Sequence, residues 1–238
     1  MCLRLRNWIA DSITAISIVA LLVAPMCAGG CGEAAKREGV NTGKNELKLP
    51  APKTSGGLAL NELLSKRRSK RSFESSELTL EQLSQMLWAA QGITDREKGF
   101  RTAPSAGALY PLETYVLREH ILQHYIPASH SLERTSRDID AGELASAASG
   151  QAFIAKAPVI FVITGDFRKT ESKYGDRAER FVCMEAGHAA QNLLLQATAL
   201  GLGAVTVGAI DSARVKSILK LPEEQEPLYL IPVGYSTD

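Results

Sequence analysis

Residues 183–210, CMEAGHAAQNLLLQATALGLGAVTVGAI, decide how the rest of the chain is interpreted. The stretch at 178–200 has apolar residues around most of a helical circumference, which is typical of a helix inside a domain. Gly201 then predicts the end of that helix, and residues 204–207 (AVTV) predict a short buried strand. Gly208 ends the strand at a place where a ligand could approach the backbone closely. The segment therefore predicts a buried helix and strand with a cofactor against the edge of the core.

Polar residues of this helix follow steps of three and four, so they share one stripe: Glu185, His188, Asn192 and Gln196. Glu185 and His188 have the spacing of half a di-iron carboxylate site, but that site needs a second such pair, which the sequence lacks. No metal site is predicted. Cys183 is predicted to be a small core residue rather than a nucleophile.

The N-terminal region has the form of a secretory signal peptide over residues 1–30. Arg4 and Arg6 make it basic, and an apolar run follows at 13–24 (ITAISIVALLVA). Small residues then precede Cys31, which favours cleavage before Cys31 and a lipid anchor on that cysteine. Plain periplasmic export and an uncleaved anchor remain alternatives. Either way, the sequence predicts an exported protein.

Composition sets the limits of the remaining chain. Residues 31–57 are polar, rich in Gly, Lys and Pro, and are predicted to be a flexible linker. Residues 58–238 are then one domain's worth of chain. The whole sequence has 27 basic and 26 acidic residues and a net charge of +1, so nothing in its charge favours nucleic acid as a partner.

Apolar periodicity predicts an α+β domain with a mixed sheet flanked by helices. A first helix at 58–66 is expected to be amphipathic, with Leu60, Leu63 and Leu64 on one face. Thr79 is predicted to cap a second helix at 80–90. The other predicted helices are 140–148, 166–173 and 212–219, and the other predicted strands are 113–118, 123–126, 158–164 and 228–233.

Two further segments are candidates for ligand binding. Residues 67–73, RRSKRSF, combine four cations with two hydroxyls directly after a helix. Arginine guanidinium groups and serine hydroxyls suit phosphate oxygens, but a solvated basic patch has the same composition, so both interpretations stay open. Residues 101–111, RTAPSAGALYP, predict a turn-forming loop that a ligand could approach.

Three segments together resemble the nitroreductase family of FMN enzymes: RRSKRSF at 67–73, APSAGALYPLETYV at 103–116, and EAGHAAQNLLLQATALGLGAVTVGAID at 185–211. In this wording the last two are most similar to the SagB/ThcOx-type dehydrogenase branch, whose members oxidise peptide azolines. The resemblance implies a mixed sheet flanked by helices, an intertwined homodimer, and FMN at the interface.

The resemblance also implies roles for single residues. Arg67, Arg68 and Ser69 would lie near the FMN phosphate and ribityl chain, and Arg71 near the pyrimidine edge of the flavin. The partner subunit would bring residues 104–107 to the flavin. The implied cofactor-binding set is Arg67, Arg68, Ser69, Arg71, Pro104, Ser105, Ala106, Gly107, Gly208 and Ala209. No residue is assigned as catalytic.

The expected function is an FMN-dependent oxidoreductase with ping-pong hydride or electron transfer. NAD(P)H or another donor would supply electrons, and the substrate would be a small molecule or a peptide. An exported lipoprotein has no evident access to cytoplasmic azoline peptides. The resemblance therefore supports the chemistry of the family for this chain more strongly than it supports the family's substrate. The alternative is an exported lipoprotein that keeps the fold and binds a ligand or flavin without catalysis.

Overall fold

The structure of the chain is a computed structural model that describes residues 45–237. The predicted signal peptide, Cys31 and the first part of the predicted linker lie outside these residues. Within the described part, no helix is both long enough and apolar enough to span a membrane.

A seven-stranded sheet forms the centre of the domain, with strands in the order β1-β6-β5-β4-β7-β9-β8. Every pair of neighbouring strands in it is antiparallel, and one isolated parallel bridge joins Ser69 to Ala204. A separate hairpin pairs β2 with β3. The strands are β1 (Glu46–Lys48), β2 (Ile93–Asp95), β3 (Phe100–Arg101), β4 (Leu112–Arg118), β5 (Ile121–Ile126), β6 (Ser131–Ser136), β7 (Val159–Gly165), β8 (Gly203–Ala204) and β9 (Glu226–Gly234).

Helices cover both faces of this sheet. They are α1 (Leu60–Lys66), α2 (Leu80–Gln91), α3 (Ala141–Ala147), α4 (Phe153–Lys156), α5 (Phe167–Tyr174), α6 (Ala178–Ala199) and α7 (Ser212–Leu219). Single 3₁₀ turns occur at Ala106–Ala108 and Gly175–Arg177. The predicted α+β class, with a sheet flanked by helices, is confirmed.

Strand β7 divides the core into two apolar layers. All seven of its residues are buried. Phe161 and Ile163 face the layer that contains α2 and α6, whereas Ile160 and Val162 face the layer that contains α3, α4 and α7. This alternation follows from the two-residue period of a strand, and it explains why the run at 158–164 has no polar face.

Local signals account for the helix boundaries that were predicted well. The Gln82 backbone N–H donates to Thr79 Oγ1 at 3.2 Å, and the Thr79 backbone N–H donates to Gln82 Oε1 at 2.9 Å. These two bonds complete the capping box at the start of α2. Asp211 caps α7 through a single bond, by accepting from the Arg214 backbone N–H at 3.0 Å.

Pro232 explains why the predicted strand at 204–207 is recorded only as β8, Gly203–Ala204. Ala204 lies opposite Val233, and Val207 lies opposite Leu230 in the same antiparallel register. Val205 donates to the Pro232 carbonyl oxygen at 3.4 Å, but Pro232 has no N–H to donate in return. The pairing is therefore interrupted at Val205 and resumes at Val207.

The folded domain begins before Leu58, so the predicted linker boundary is corrected. Strand β1 pairs with β6, and Leu49 is buried in the core. The Pro50 carbonyl oxygen accepts a bond from the Ser84 hydroxyl at 2.5 Å and lies 3.1 Å from His130 Nε2. Sheet pairing and this polar cluster hold residues 46–50, which composition alone marks as linker.

The prediction that Cys183 is a core residue is wrong for the single chain, and the leucine face of α1 is also exposed. Leu60 and Leu64 of α1 are 61% and 51% exposed, and α1 has no buried residue. Cys183 is exposed on α6, and its neighbour Met184 is 46% exposed. The apolar circumference of α6 and the leucine face of α1 are larger than one chain covers with its own helices.

Candidate functional site

The basic segment, residues 67–73, runs along the end of the sheet formed by β8 and the C-terminal residues. Ser69 pairs in parallel with Ala204, and the Lys70 backbone N–H donates to the Ala204 carbonyl oxygen at 3.1 Å. Phe73 forms an antiparallel bridge with Ser236. The segment is therefore fixed as an added edge of the sheet, and its cations are not on a loose loop.

Gly203 permits this close approach. A Cβ atom built on Gly203 would lie 2.9 Å from Lys70 Cβ and 2.9 Å from Ser236 Cβ. Both neighbouring atoms are attached directly to backbone, so neither can move away as the end of a flexible side chain can. A glycine is needed here because two chain segments meet over its α-carbon.

The arginines of the basic segment occupy different positions. Arg67 is half-buried at the C-terminal end of α1, and its carbonyl oxygen accepts from the Arg68 guanidinium at 2.7 Å. Arg68 and Arg71 are exposed. The Arg71 guanidinium carbon lies 5.7 Å from the centre of the Phe153 ring, an arrangement in which a cation is attracted to the ring face.

The loop after β3, which we call the Ser105 loop (residues 102–110), is held by its own side chains. The Tyr110 backbone N–H donates to Ser105 Oγ at 2.9 Å, and the Ala108 backbone N–H donates to the Ser105 carbonyl oxygen at 3.1 Å. Gly107 has a φ of 63°, a left-handed conformation that favours glycine. Pro104 and Gly107 are exposed, so the tip of the loop is open to a ligand.

Arg101 stabilises the start of the Ser105 loop through its side chain. Its guanidinium donates to Gln91 Oε1 at 2.8 Å and lies 4.8 Å from the centre of the Tyr110 ring. Burial lowers the pKa of Arg101, while the carboxylates of Glu113 and Glu185 act to raise it. A guanidinium titrates so far above neutral pH that this lowering leaves Arg101 charged.

The polar stripe of α6 serves three different purposes. Asn192 contacts the Ser105 loop: its side-chain amide donates to the Thr102 carbonyl oxygen at 3.4 Å. Gln196 instead accepts from Gln85 of α2 at 3.4 Å. His188 is exposed.

Glu185 is the buried carboxyl group of this site, with only 2% of its surface exposed. Burial raises the pKa of Glu185 to about 7, against the opposing effects of the nearby Ser105 hydroxyl and the charge of Arg101. Among the described residues, its Oε1 atom has no hydrogen-bond partner. A carboxyl group with such a pKa changes its charge near neutral pH.

Gly208 and Ala209 belong to the predicted cofactor-binding set and follow β8 in the chain. Gly208 and Ala209 are exposed directly after Val207, and a Cβ on Gly208 would lie 3.3 Å from the Tyr229 ring.

The end of α5 also lies near the Ser105 loop, and sequence reasoning missed it. Lys173 Nζ and Tyr174 OH would lie 2.8 and 2.9 Å from a Cβ built on Gly107. No periodicity distinguishes Lys173 from the other charged residues of that exposed helix.

The basic segment and the Ser105 loop lie near different parts of α6. The basic segment joins β8, which begins shortly after α6 ends at Ala199. The Ser105 loop is bonded to α6 through Asn192, seven residues before the helix ends. At 1.5 Å per residue this separation along the axis is about 10 Å.

Comparisons with known proteins agree with the motifs. A family profile described as "Nitroreductase family" matches residues 64–235. A protein of Methanocaldococcus jannaschii named as a nitroreductase is 49% identical over 183 residues, which are 74% of this chain and 91% of that protein. A solved structure from Ralstonia eutropha, also named as a nitroreductase, superposes with a TM-score of 0.75 at 30% identity and covers 84% of this chain and 93% of that one.

Two further relatives have names that state what they do. The microcin B17-processing protein McbC of Escherichia coli is 29% identical over 157 residues, 61% of this chain and 58% of that protein. The NADPH-flavin oxidoreductase of Vibrio harveyi is 29% identical over 133 residues, 50% of this chain and 55% of that protein. The profile alone covers most of the described residues, and the chain belongs to the nitroreductase family.

Proposed function

We propose that this chain is an FMN-dependent oxidoreductase of the SagB/ThcOx type that works by ping-pong transfer of hydride or electrons. Nitroreductase family members are oxidoreductases, and a flavin oxidoreductase is among the relatives of this chain. The observation that carries the proposal is the anchoring of the basic segment to β8, four residues before Gly208. This anchoring places the cations of the basic segment near the exposed residue Gly208 at one edge of the sheet.

The cations of the basic segment fit the phosphate of FMN. Arg67, Arg68 and Ser69 come directly after the last turn of α1, and Arg67 is already half-buried. A guanidinium group can bind two phosphate oxygens at once, and the Ser69 hydroxyl supplies another donor. These residues would hold the phosphate and the ribityl chain.

Arg71, Gly208 and Ala209 fit the isoalloxazine ring. FMN, when bound, supplies reversible two-electron chemistry, and its ring gains negative charge on reduction. Arg71 would place a cation at the pyrimidine edge, and its position over Phe153 restricts where its guanidinium can lie. The exposed backbone at Gly208 and Ala209 would allow close approach to the ring, and the Ser105 loop would contact its other side.

A homodimer explains how both parts of the site meet one cofactor. The basic segment joins β8 beyond the end of α6, whereas the Ser105 loop is bonded to Asn192 within α6, and a second copy would bring its loop to the basic segment. Exposed apolar side chains support such an interface: Leu58, Leu60, Leu64, Phe100 and Met184 are 42%, 61%, 51%, 44% and 46% exposed. Obligate interfaces of this kind bury more than about 2,000 Å².

We also propose that the protein is exported and held at a membrane through a lipid on Cys31. The support is the sequence alone: a basic start, an apolar run and small residues before the cysteine. Cys31→Ser is expected to release the protein from membranes or to block its maturation. Identical fractionation of the mutant and the original chain, both soluble, would contradict the anchor.

Anaerobic titration tests the enzymatic proposal against the non-catalytic alternative. The purified full-length protein should carry flavin whose absorbance bleaches on addition of NADPH or NADH and recovers when an acceptor such as a quinone is added. A bound flavin that neither donor reduces, and that dithionite reduces without later transfer to any acceptor, would favour a binding protein. Repeating the titration with an azoline-containing peptide tests the SagB/ThcOx assignment separately.

A further inference from the structure

The start of the folded domain lies along the edge of the sheet as a strap, which we define as residues 45–50. Its strand β1 has only three residues and pairs on one side, with β6. Leu49 is the residue of the strap that is buried in the core. A short edge strand of this kind opens locally more easily than the centre of a sheet. The contacts at the far end of the strap therefore determine how often it opens.

His130, in the turn between β5 and β6, holds this far end with both its backbone and its ring. The His130 carbonyl oxygen accepts from the Leu49 backbone N–H at 3.1 Å. Its ring atom Nε2 lies 2.8 Å from Ser84 Oγ and 3.1 Å from the Pro50 carbonyl oxygen. Its other ring nitrogen, Nδ1, lies 2.8 Å from the Tyr125 hydroxyl. One side chain therefore joins the strap to both α2 and β5.

The hydrogen bonds of this cluster assign the proton positions of the neutral ring. Ser84 donates its hydroxyl hydrogen to the Pro50 carbonyl oxygen at 2.5 Å, so Ser84 Oγ accepts from His130 and Nε2 carries a hydrogen. Nδ1 then has a lone pair and accepts from the Tyr125 hydroxyl. In this tautomer every polar hydrogen of the cluster has an acceptor. The opposite tautomer would leave the Nε2 lone pair facing the Pro50 carbonyl oxygen with no hydrogen between them.

A second proton on the His130 ring disrupts this arrangement. Nδ1 would then donate to the Tyr125 oxygen, and the Tyr125 hydroxyl hydrogen would have to turn away. Tyr125 is only 1% exposed, and its hydroxyl has no other hydrogen-bond partner among the described residues. Because an unpartnered buried hydroxyl is costly, the closed strap favours the neutral ring.

The charged groups around the cluster act in the same direction. Burial lowers the pKa of His130, and the charge of Arg96 in the turn between β2 and β3 lowers it further, against the Pro50 hydrogen bond, which raises it. Arg101 is the charge that acts on Tyr125. The groups contributed by α2 and the strap, the Ser84 hydroxyl and the Pro50 carbonyl, do not titrate. Within the described chain, no carboxylate is among the groups that act on His130.

We propose that His130 is an acid-sensitive latch, which keeps the strap closed when its ring is neutral and loosens the strap when the ring becomes an imidazolium. The open strap binds the proton more strongly than the closed one, so the closed state is firmly held above the ordinary histidine pKa of 6.5 and weakens as pH falls below it. The inference goes beyond the proposed function and needs no bound flavin.

Opening of the strap would lengthen the connection to whatever precedes the domain. The next attachment is Lys53, whose backbone N–H and carbonyl oxygen both bond to the Gln85 side chain, at 2.8 and 3.1 Å. Release of residues 45–50 would therefore add up to about 20 Å of extended chain to the predicted tether. For a protein held at a membrane, as proposed above, the latch would change the reach of the domain with the pH outside the cell.

Hydrogen exchange of the full-length protein tests the latch at about pH 5 and about pH 7.5. Dividing the intrinsic rate by the observed rate gives a protection factor, which removes the direct effect of pH on exchange. We expect the protection of the Leu49 amide to fall about five- to thirtyfold at the lower pH, the upper figure being the most that a ring with a pKa of 6.5 in the open state can supply there. Amides of β7, at the centre of the sheet, should change much less.

His130→Asn and His120→Asn form a matched pair of variants. Both histidines have a left-handed backbone, with φ of 49° and 62°, a conformation that asparagine tolerates. His130→Asn removes the titrating ring, so the protection of the strap should become independent of pH. The His120 ring contacts the Ile139 carbonyl oxygen and not the strap, so His120→Asn should keep the pH dependence. A pH dependence that survives His130→Asn, or that His120→Asn abolishes, would overturn the inference.

Nitrogen chemical shifts of the His130 ring give a second test in the unmodified protein, which does not depend on the folding of a variant. The hydrogen should lie on Nε2 at neutral pH, and the ring should titrate below 6.5. A hydrogen on Nδ1, or titration at or above that value, would contradict the latch. A colourless protein that binds no FMN but shows these shifts would fail the proposed function alone, whereas a flavin-loaded protein whose strap ignores pH would fail this inference alone.

Discussion

Lys70 donates its backbone N–H to the carbonyl oxygen of Ala204 at 3.1 Å, and this bond fixes the basic segment against the sheet. The contact depends on the missing side chain of Gly203, since Lys70 Cβ and Ser236 Cβ each lie 2.9 Å from where a Cβ would be. The most basic part of the chain is therefore held by backbone pairing.

Gly203→Ala is expected to separate the basic segment from β8. The added methyl group overlaps two backbone-attached atoms, so the chain must shift at a cost of about 1–3 kcal/mol in the free energy of unfolding. FMN binding should weaken together with stability. Gly187→Ala is the control, because nothing lies within 4 Å of a Cβ there and a helical alanine should be neutral or stabilising. Urea unfolding and FMN titration of both variants decide whether the close approach matters.

Glu185 is expected to make stability depend on pH. Its pKa is raised from 4.5 to about 7 in the folded state, so the folded protein holds this proton more strongly than the unfolded chain. The resulting stabilisation is complete below about pH 4.5 and is lost as pH rises through 7. As pH rises from about 4.5 to 7, the free energy of unfolding of Glu185→Gln should therefore increase relative to that of the original chain, by up to about 3 kcal/mol. Above pH 7 the difference between the two proteins should stay constant.

Urea denaturation at several pH values measures this difference. Glu113, whose pKa is lowered by hydrogen bonds to His124 and Lys169 in opposition to burial, has the opposite pH dependence. It is present in both proteins, so its contribution cancels in the comparison. Parallel stability curves for the two proteins across this range would show that the Glu185 carboxyl group is solvated.

Leu60 and Leu64 test the proposed interface. Because they are 61% and 51% exposed in one chain, replacing both by Glu should change the stability of a monomer by less than about 0.5 kcal/mol per site. If a second copy covers them, the charges should dissociate the dimer and release flavin. Ala213→Glu with Ser217→Glu, both exposed on α7, gives a control of equal charge. Light scattering at micromolar concentration provides the mass, and a flavin-loaded monomer of the original chain would rule out the dimer.

Arg67 and Arg71 are expected to have separable roles. Arg67→Ala removes a charge-assisted bond worth roughly 1.5–3 kcal/mol, so FMN affinity should fall about tenfold to a hundredfold. Arg71→Ala should lower the flavin reduction potential, because negative charge develops on the ring only on reduction. Arg71→Lys should keep much of the potential, since charge matters there more than the planar fork. Dissociation constants and midpoint potentials that are unchanged in every variant would show both to be surface cations.

Features with a local cause were predicted well from the sequence. Thr79 and Gln82 fix the start of α2 because a capping box involves only residues three apart. Asp211 does the same for α7. Strand β7 was predicted because burial on both faces leaves an unbroken apolar run at Val159–Gly165.

Features that depend on distant partners were not predictable in the same manner. Strand β6 was missed because its alternation of Ser, Glu, Arg and Thr resembles a loop, and it becomes a strand by pairing with β5. Residues 46–48 were assigned to the linker on composition, and they form a strand only by pairing with β6, which was itself missed. The interruption of β8 depends on Pro232, some thirty residues further on.

The candidate site also combines features with a local cause and features that depend on distant partners. The sequence located the basic segment, the Ser105 loop and Gly208, because each motif is continuous in the chain. It could not show that Asn192 bonds to the Thr102 carbonyl oxygen, or that Lys173 and Tyr174 lie against Gly107. These contacts arise from the packing of α5 and α6 on the loop, which no local pattern records.

The cofactor content of the purified protein tests the central claim most directly. We expect full-length protein to be yellow, with flavin absorbance bands, and to release FMN on denaturation in a ratio approaching one per chain, as identified by chromatography against FMN, FAD and riboflavin standards. Protein that is folded by circular dichroism, colourless as purified, and unable to bind added FMN at micromolar concentration would contradict the account.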